Sequence, residues 1–138
     1  MYPEYLTAPM KADLVGFGFE DLTSAEQAEE VITKTEGTVF VVINSVCGCA
    51  AANARPAAKL AMQYSEKKPT VAATAFAGVD AAATNQVRSL TLPYPPSSPS
   101  MALFKDGSLV HFIERHNIEG RSAQDIAKEI LVAFDTHC

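Results

Sequence analysis

Thr38-Val39-Phe40-Val41-Val42-Ile43-Asn44-Ser45-Val46-Cys47-Gly48-Cys49-Ala50-Ala51-Ala52 carries the reading that decides the fold. Thr38 to Asn44 is a continuous run rich in β-branched residues, the pattern of a strand covered on both faces and so of a central parallel strand. From Ala50 to about Lys67 the chain is alanine-rich, with Leu60, Ala61 and Tyr64 on one stripe, which predicts a helix. Pro56 lacks an N–H and crowds the carbonyl of Ala52, so it predicts a kink in that helix. The alternative is that Pro56 lies near a helix start and Cys47 in a loop. Two thiols therefore fall at the turn from a buried strand into a helix. Unpaired amides and the positive end of the helix dipole at that place favour thiolate, the reactive form of cysteine.

Outward from this turn, Thr23-Ser24-Ala25-Glu26 has the form of a capping box, and Ala25, Ala28, Val31 and Ile32 follow at helical spacing. A helix is predicted from Ser24 to Thr35, ended by Gly37. Val71 to Phe76 predicts a second strand, and Asp80 can cap a helix running to about Leu90. Strand, helix, strand in this order implies a parallel pair with a right-handed crossover. Pro93-Tyr94-Pro95-Pro96-Ser97-Ser98-Pro99 is too proline-dense for helix or inner strand and predicts a loop. Met101 to Phe104 and Leu109 to Ile113, joined through Asp106-Gly107, predict a β-hairpin. Ser122 and Asp125 open a last helix with Ile126, Ile130, Leu131 and Phe134 on one stripe, ending at Cys138. The predicted order is α-β-α-β-α-β-β-α, an α/β fold in a single domain over residues 1–138.

The whole chain sets bounds on function. At 138 residues, 48% apolar and 20% charged, it can bury roughly two-thirds of its unfolded surface in one core. No apolar stretch approaches the ~20 residues that span a bilayer. The first residues, Met1 to Leu6, have neither a basic start nor a continuous apolar run, so the expectation is a soluble cytoplasmic protein. A formal charge of −5 with scattered basic residues gives no footprint for nucleic acid or for an anionic membrane. Three cysteines are too few for a disulfide framework, and a close pair points instead to redox or metal chemistry.

The element order, with a cysteine pair after the first predicted strand and a proline before the hairpin, resembles the thioredoxin fold: a central mixed sheet flanked by helices. In that fold a cis-proline faces the active cysteine, and Pro99 matches its place, whereas Pro93, Pro95 and Pro96 read as plain loop residues. A closer family covers nearly the whole chain. Val42-Ile43-Asn44-Ser45-Val46-Cys47-Gly48-Cys49-Ala50-Ala51-Ala52-Asn53-Ala54-Arg55-Pro56 resembles the active-site segment of the bacilliredoxins, thioredoxin-like proteins of bacteria that make bacillithiol. Gly78, Asp80, Ala83, Thr84 and Arg88 agree in the same order, as do Pro96-Ser97-Ser98-Pro99-Ser100, Glu114-Arg115-His116 and Ile118-Glu119-Gly120.

The resemblance implies a thiol–disulfide oxidoreductase with Cys47 and Cys49 as its catalytic pair and bacillithiol as a thiol co-substrate, with no tightly bound cofactor. Cys47 attacks a mixed disulfide between bacillithiol and a client protein, and either Cys49 or a second bacillithiol releases the adduct. One intervening glycine gives a smaller disulfide ring than Cys-x-x-Cys, nearer the limit of relaxed geometry, which predicts a comparatively oxidising couple and admits disulfide isomerisation. Gly48 is either a residue whose backbone angles a side chain would forbid or a simple turn glycine. Arg55, about two turns beyond Cys47, either places positive potential near the thiolate or recognises bacillithiol carboxylates, or else is a solvated helix residue. Asn53 either donates a hydrogen bond at the site or lies on the helix surface. Cys138 either resolves a mixed disulfide or idles at a frayed end. His111, His116 and His137 read as strand, turn and terminal residues, and Glu26, Glu29 and Glu30 as a solvated helix face. Two rivals remain: a soft zinc or copper site built from Cys47, Cys49, Cys138 and His137, and a non-catalytic thioredoxin-like adaptor. Clients, recycling partner and oligomeric state are open.

Overall fold

In a computed structural model, which describes residues 2–138, the run from Thr38 to Asn44 is a strand whose seven residues are all buried. The elements are α1 (Glu4–Val15), β1 (Glu20–Asp21), α2 (Ala25–Lys34), β2 (Thr38–Asn44), a π-helical turn (Ala50–Ala54), α3 (Arg55–Tyr64), β3 (Val71–Phe76), α4 (Ala81–Ser89), β4 (Ser100–Lys105), β5 (Ser108–Ile113), a 3-10 turn (Arg115–Asn117) and α5 (Ala123–His137). The sheet order is β1-β3-β2-β4-β5, parallel across β1, β3 and β2 and antiparallel across β2, β4 and β5. The expected mixed sheet, central β2 and hairpin are all present.

Alternation along β2 explains why its sequence is apolar throughout. Phe40 and Val42 face one layer, where they meet Leu14 of α1, Ala58 of α3 and Ile130 and Phe134 of α5. Val39, Val41 and Ile43 face the other, against Ile32 of α2 and Val87 of α4. Each face buries its own core, so between Thr38 and Asn44 at its two ends no position along β2 is left for a polar side chain.

Four differences from the sequence expectations have physical causes. First, α1 and β1 were not foreseen. In α1 polar and apolar residues do not segregate, only Thr7 and Leu14 are buried, and Pro9 sits inside it; β1 has two residues. Second, α2 is capped one residue later than the Thr23–Glu26 box implies. The Gln27 N–H donates to Ser24 Oγ (3.1 Å), and Gln27 Oε1 accepts from the Thr23 N–H (2.9 Å).

Third, Pro56 does not kink a continuous α-helix. The helix widens to a π-turn, in which the Arg55 N–H reaches the carbonyl of Ala50, and Pro56 becomes the second residue of α3, where a missing N–H matters least. That helix stops at Tyr64 rather than Lys67. Fourth, Asp80 occupies the N-cap of α4 but makes no capping bond. Its carboxylate pairs instead with Lys11 of α1 (2.8 Å), which also reaches Asp21 of β1 (3.3 Å). These two ion pairs fasten α1 to the sheet edge.

The hairpin turn is as expected. Asp106 (φ +49°) and Gly107 (φ +83°) both adopt the left-handed region that a tight two-residue hairpin loop needs. No described helix is long and apolar enough to cross a membrane.

Candidate active site

Parallel β2 and β3 both end on the same side of the sheet, and antiparallel β4 begins there, with Ile43 opposite Ser100. The loop Ser45–Cys47, the start of the following helix and the Ser98–Pro99 step therefore meet at one pole. The Ser98–Pro99 peptide is cis, as expected from the resemblance; Leu92–Pro93, read from sequence as plain loop, is cis as well.

Cys47 is the last residue before the helix, and its carbonyl accepts from the Ala50 N–H (3.1 Å) and the Ala51 N–H (3.4 Å). Cys49 lies within the first helical turn, its sulfur 2.6 Å from that of Cys47, and both cysteines are free thiols of intermediate exposure. The Ser45 hydroxyl serves Cys47 twice: Oγ accepts from the Cys47 N–H and donates to Cys47 Sγ, both at 3.3 Å.

The two thiols are driven apart electrostatically. Burial opposes ionisation of Cys47, but hydrogen bonds from the Cys49 thiol, the Ser45 hydroxyl and the Ala50 and Cys49 amides outweigh it and hold its pKa below the ordinary thiol value. For Cys49, burial and then the neighbouring Cys47 sulfur push the pKa up, and Arg115 offsets this only in part. The first proton lost by the pair is that of Cys47.

Behind Cys47 stands a buried polar brace. Asn44, 1% exposed, accepts through Oδ1 from the Ser45 N–H (2.9 Å) and from Arg55 Nη1 (3.0 Å), and donates through Nδ2 to the carbonyl of Met10 (3.1 Å). Arg55 Nη1 also donates to the Ser45 carbonyl (3.1 Å), while Nε faces Asp13 of α1 (3.3 Å). Arg55 is thus neither solvated nor pointed at the thiols; it is buried and fixes the chain that delivers Ser45 and Cys47. Asn53 also bonds elsewhere, donating to the carbonyl of Arg121 ahead of α5. Gly48 has no positive φ, and a Cβ there would meet nothing within 4 Å, so the reading that a side chain would be forbidden does not hold for the reduced protein.

Arg115, quoted in the sequence only as part of a resemblance, is a cation of the site. Its Nη1 donates to the Ser98 carbonyl (3.2 Å), just ahead of cis-Pro99, its Nε pairs with Glu119, and its charge acts on both thiols. No spacing rule connects it to Cys47, 68 residues earlier in the chain; only the fold does.

Cys138 contributes nothing here. It is exposed, and its sulfur accepts from the Thr38 hydroxyl (3.3 Å) at the opposite end of β2. A soft-metal site combining Cys47, Cys49 and Cys138 therefore has no geometry, and no group of three or more His, Cys, Asp or Glu clusters among the described residues. His111 pairs with Glu129 (2.8 Å) and His116 with Glu114 (3.0 Å), both apart from the thiols.

Comparison with known proteins agrees with this geometry. A family described as disulphide isomerase matches residues 2–138. The bacilliredoxin of Cytophaga hutchinsonii is 56% identical over 135 residues, covering 98% of each chain. That of Bacillus licheniformis is 52% identical over 99% of this chain and 97% of its own, and that of Geobacillus kaustophilus 50% identical over 99% and 94%. Among solved structures, Fasciola hepatica thioredoxin superposes with a TM-score of 0.61 at 16% identity, covering 87% of this chain and 100% of its own. Mitochondrial thioredoxin 3 of Saccharomyces cerevisiae gives 0.59 at 13% identity, over 86% and 94%. A cysteine pair at a helix start, on a thioredoxin fold and with relatives this similar over nearly their full length, has one home: the chain belongs to the bacilliredoxin family of thiol–disulfide oxidoreductases.

Proposed function

We propose that the protein removes bacillithiol from mixed disulfides on client proteins, with Cys47 as nucleophile and Cys49 as resolving thiol. The observation that carries this is the geometry of the pair: the Ser45 hydroxyl and the Cys49 thiol both lie within hydrogen-bond reach of Cys47 Sγ at the helix start (3.3 and 2.6 Å), which favours Cys47 as the thiolate and holds Cys49 back. The Cys47 thiolate attacks the bacillithiol sulfur of the mixed disulfide, the S–S bond to the client breaks, and the client thiolate leaves with the electron pair and takes a proton from solvent. Cys49, once deprotonated, attacks Cys47 Sγ and expels bacillithiol thiolate, leaving a Cys47–Cys49 disulfide. A second bacillithiol can displace the adduct instead. Returning the disulfide to two thiols takes two electrons and two protons, supplied by two equivalents of an external thiol that leave joined as their own disulfide.

The same exchange chemistry performs disulfide isomerisation when a client carries a misplaced protein disulfide, which fits the description of the matching family. Bacillithiol is a co-substrate in this reading rather than a resident cofactor, and a reducing cytoplasm is the compartment in which free thiols of this kind persist.

The test is incubation of the reduced protein and of its Cys47→Ser and Cys49→Ser variants with a bacillithiolated client, followed by intact-protein mass spectrometry. The expected result is client release by the wild type, bacillithiol trapped on Cys47 in Cys49→Ser, and no release by Cys47→Ser. Release by Cys47→Ser with an adduct on Cys49 would reverse the roles, and no release by any form would overturn the proposal.

A further inference from the structure

Beside Cys47 opens a cavity of about 330 Å³ whose lining includes Cys47 itself with Ser45, Gly78, Arg88, Ser98 and Arg115. It is of the size that holds a small molecule. No carboxylate lines it, although the chain as a whole carries a formal charge of −5. Two guanidinium groups and no acid is the reverse of the protein's average surface.

Arg88 is the more telling of the two. Projecting from α4, it makes no ion pair and no side-chain hydrogen bond among the described residues, and its Nε is buried without a partner. The side chain is half-buried, and a guanidinium drawn even partly out of water is ordinarily paired with a carboxylate or spread over several acceptors. Burial alone pulls its pKa down, with no acid to restore it. Arg115 is fixed from behind by Ser98 and Glu119, and Nη2 has no partner among the described residues. Both forks are thus placed around the cavity with donors unspent.

We propose that this cavity is an anion subsite in which Arg88 and Arg115 hold a carboxylate of the low-molecular-weight thiol while its sulfur is exchanged at Cys47. The proposal rests on the exchange reading above and adds to it the residues that recognise the small-thiol half of the disulfide. Arginine suits the task because its planar fork binds a carboxylate through two parallel hydrogen bonds. A carboxylate held there also sits beside the sulfur it is linked to, which turns the attack by Cys47 into a positioned encounter.

The test uses two small disulfides of similar size: 3,3′-dithiodipropionate, a dianion, and the neutral 2-hydroxyethyl disulfide. In each, the Cys47 thiolate attacks one sulfur, the S–S bond breaks, and the departing thiolate carries off the electron pair, leaving half of the reagent on Cys47. The readout is the ratio of the two second-order rates, in which any effect of the arginines on thiolate formation cancels. Arg88→Gln and Arg115→Gln are each expected to lower the dianion rate relative to the neutral one by roughly 5–10-fold, with Arg88→Lys recovering part of the loss. A ratio unchanged in Arg88→Gln would overturn the subsite and leave acidic groups on the client as the target of these arginines.

A second measurement separates this from failure of the exchange reading. Glutarate, a dicarboxylate without sulfur, should shift the amide resonances of Gly78 and Arg88 in the wild type and not in Arg88→Gln, whether or not Cys47 reacts. Absence of those shifts in the wild type overturns the subsite independently of any thiol chemistry.

Discussion

Cys47 owes its character to three neighbours that each offer a hydrogen: the Cys49 thiol, the Ser45 hydroxyl and the amides of the helix start. Its pKa lies below that of an ordinary thiol, so its reactive form appears at lower pH than in an unfolded chain and declines only as pH falls through that lowered value. Alkylation of Cys47 by iodoacetamide, followed against pH, should therefore reach half its plateau below the ~8.5 of a free cysteine. Cys49→Ala removes the largest of the stabilising hydrogen bonds and should move the curve to higher pH, with a severalfold slower reaction at pH 7; a curve that did not move would show that the amides and Ser45 suffice. Cys47 and Cys49 were legible in the sequence because strand, cysteine pair and helix adjoin along the chain. Ser45 and Asn44 stood in the same quoted stretch without an assigned role, although a buried polar residue ending an apolar strand is a signal in itself. Arg88 and Arg115 were not legible, since their relation to Cys47 exists only after α4 and the turn before α5 have packed.

At the scale of elements, the site is held by how α3 meets the end of β2. Arg55 opens α3 and spans from Asp13 of α1 to Asn44 Oδ1 and the Ser45 carbonyl. Arg55→Ala would strand the buried Ser45 carbonyl and take one of its two donors from Asn44 Oδ1, with a loss of roughly 1–3 kcal/mol in stability by urea unfolding, the partly exposed Asp13 adding little to that figure. Its second signature is functional: with Ser45 loosened, the pH curve for Cys47 alkylation should shift upward even in the fraction that remains folded. A variant that lost stability with an unshifted curve would confine Arg55 to a structural role. The π-turn Ala50–Ala54 explains why Arg55 was misread. Helical-wheel reasoning from Cys47 assumes 3.6 residues per turn throughout, and one wide turn rotates every later side chain, carrying Arg55 inward. Strands β2 to β5 were legible because each is a run of strand-forming residues bounded by turn signals, whereas β1 is two residues long; α1 was not legible, because its hold on the fold comes from Lys11 reaching Asp21 and Asp80 across the chain.

For the whole molecule, the sheet divides the protein into two poles. β2 runs from Thr38 to Asn44, and at a rise of about 3.3 Å per residue its ends lie roughly 20 Å apart. Cys138 contacts Thr38 at one end, while the loop carrying Cys47 leaves Asn44 at the other. Disulfide geometry needs Cα atoms within about 7 Å, so no side-chain motion joins Cys138 to either active-site thiol within one folded chain, and local fraying after α5 does not cover the distance. Oxidation with a small disulfide should then yield Cys47–Cys49 as the intrachain bond, read by peptide mapping of the monomer, with Cys138 found free or joined to another molecule. Cys138→Ser should leave the exchange rate within about twofold of the wild type, as for a surface substitution remote from the site. An intrachain Cys47–Cys138 bond, or a tenfold slower variant, would mean that α5 leaves the sheet during turnover. The packing of Ile126, Ile130 and Phe134 against the centre of the sheet argues against that, because such a departure would uncover one of the two cores.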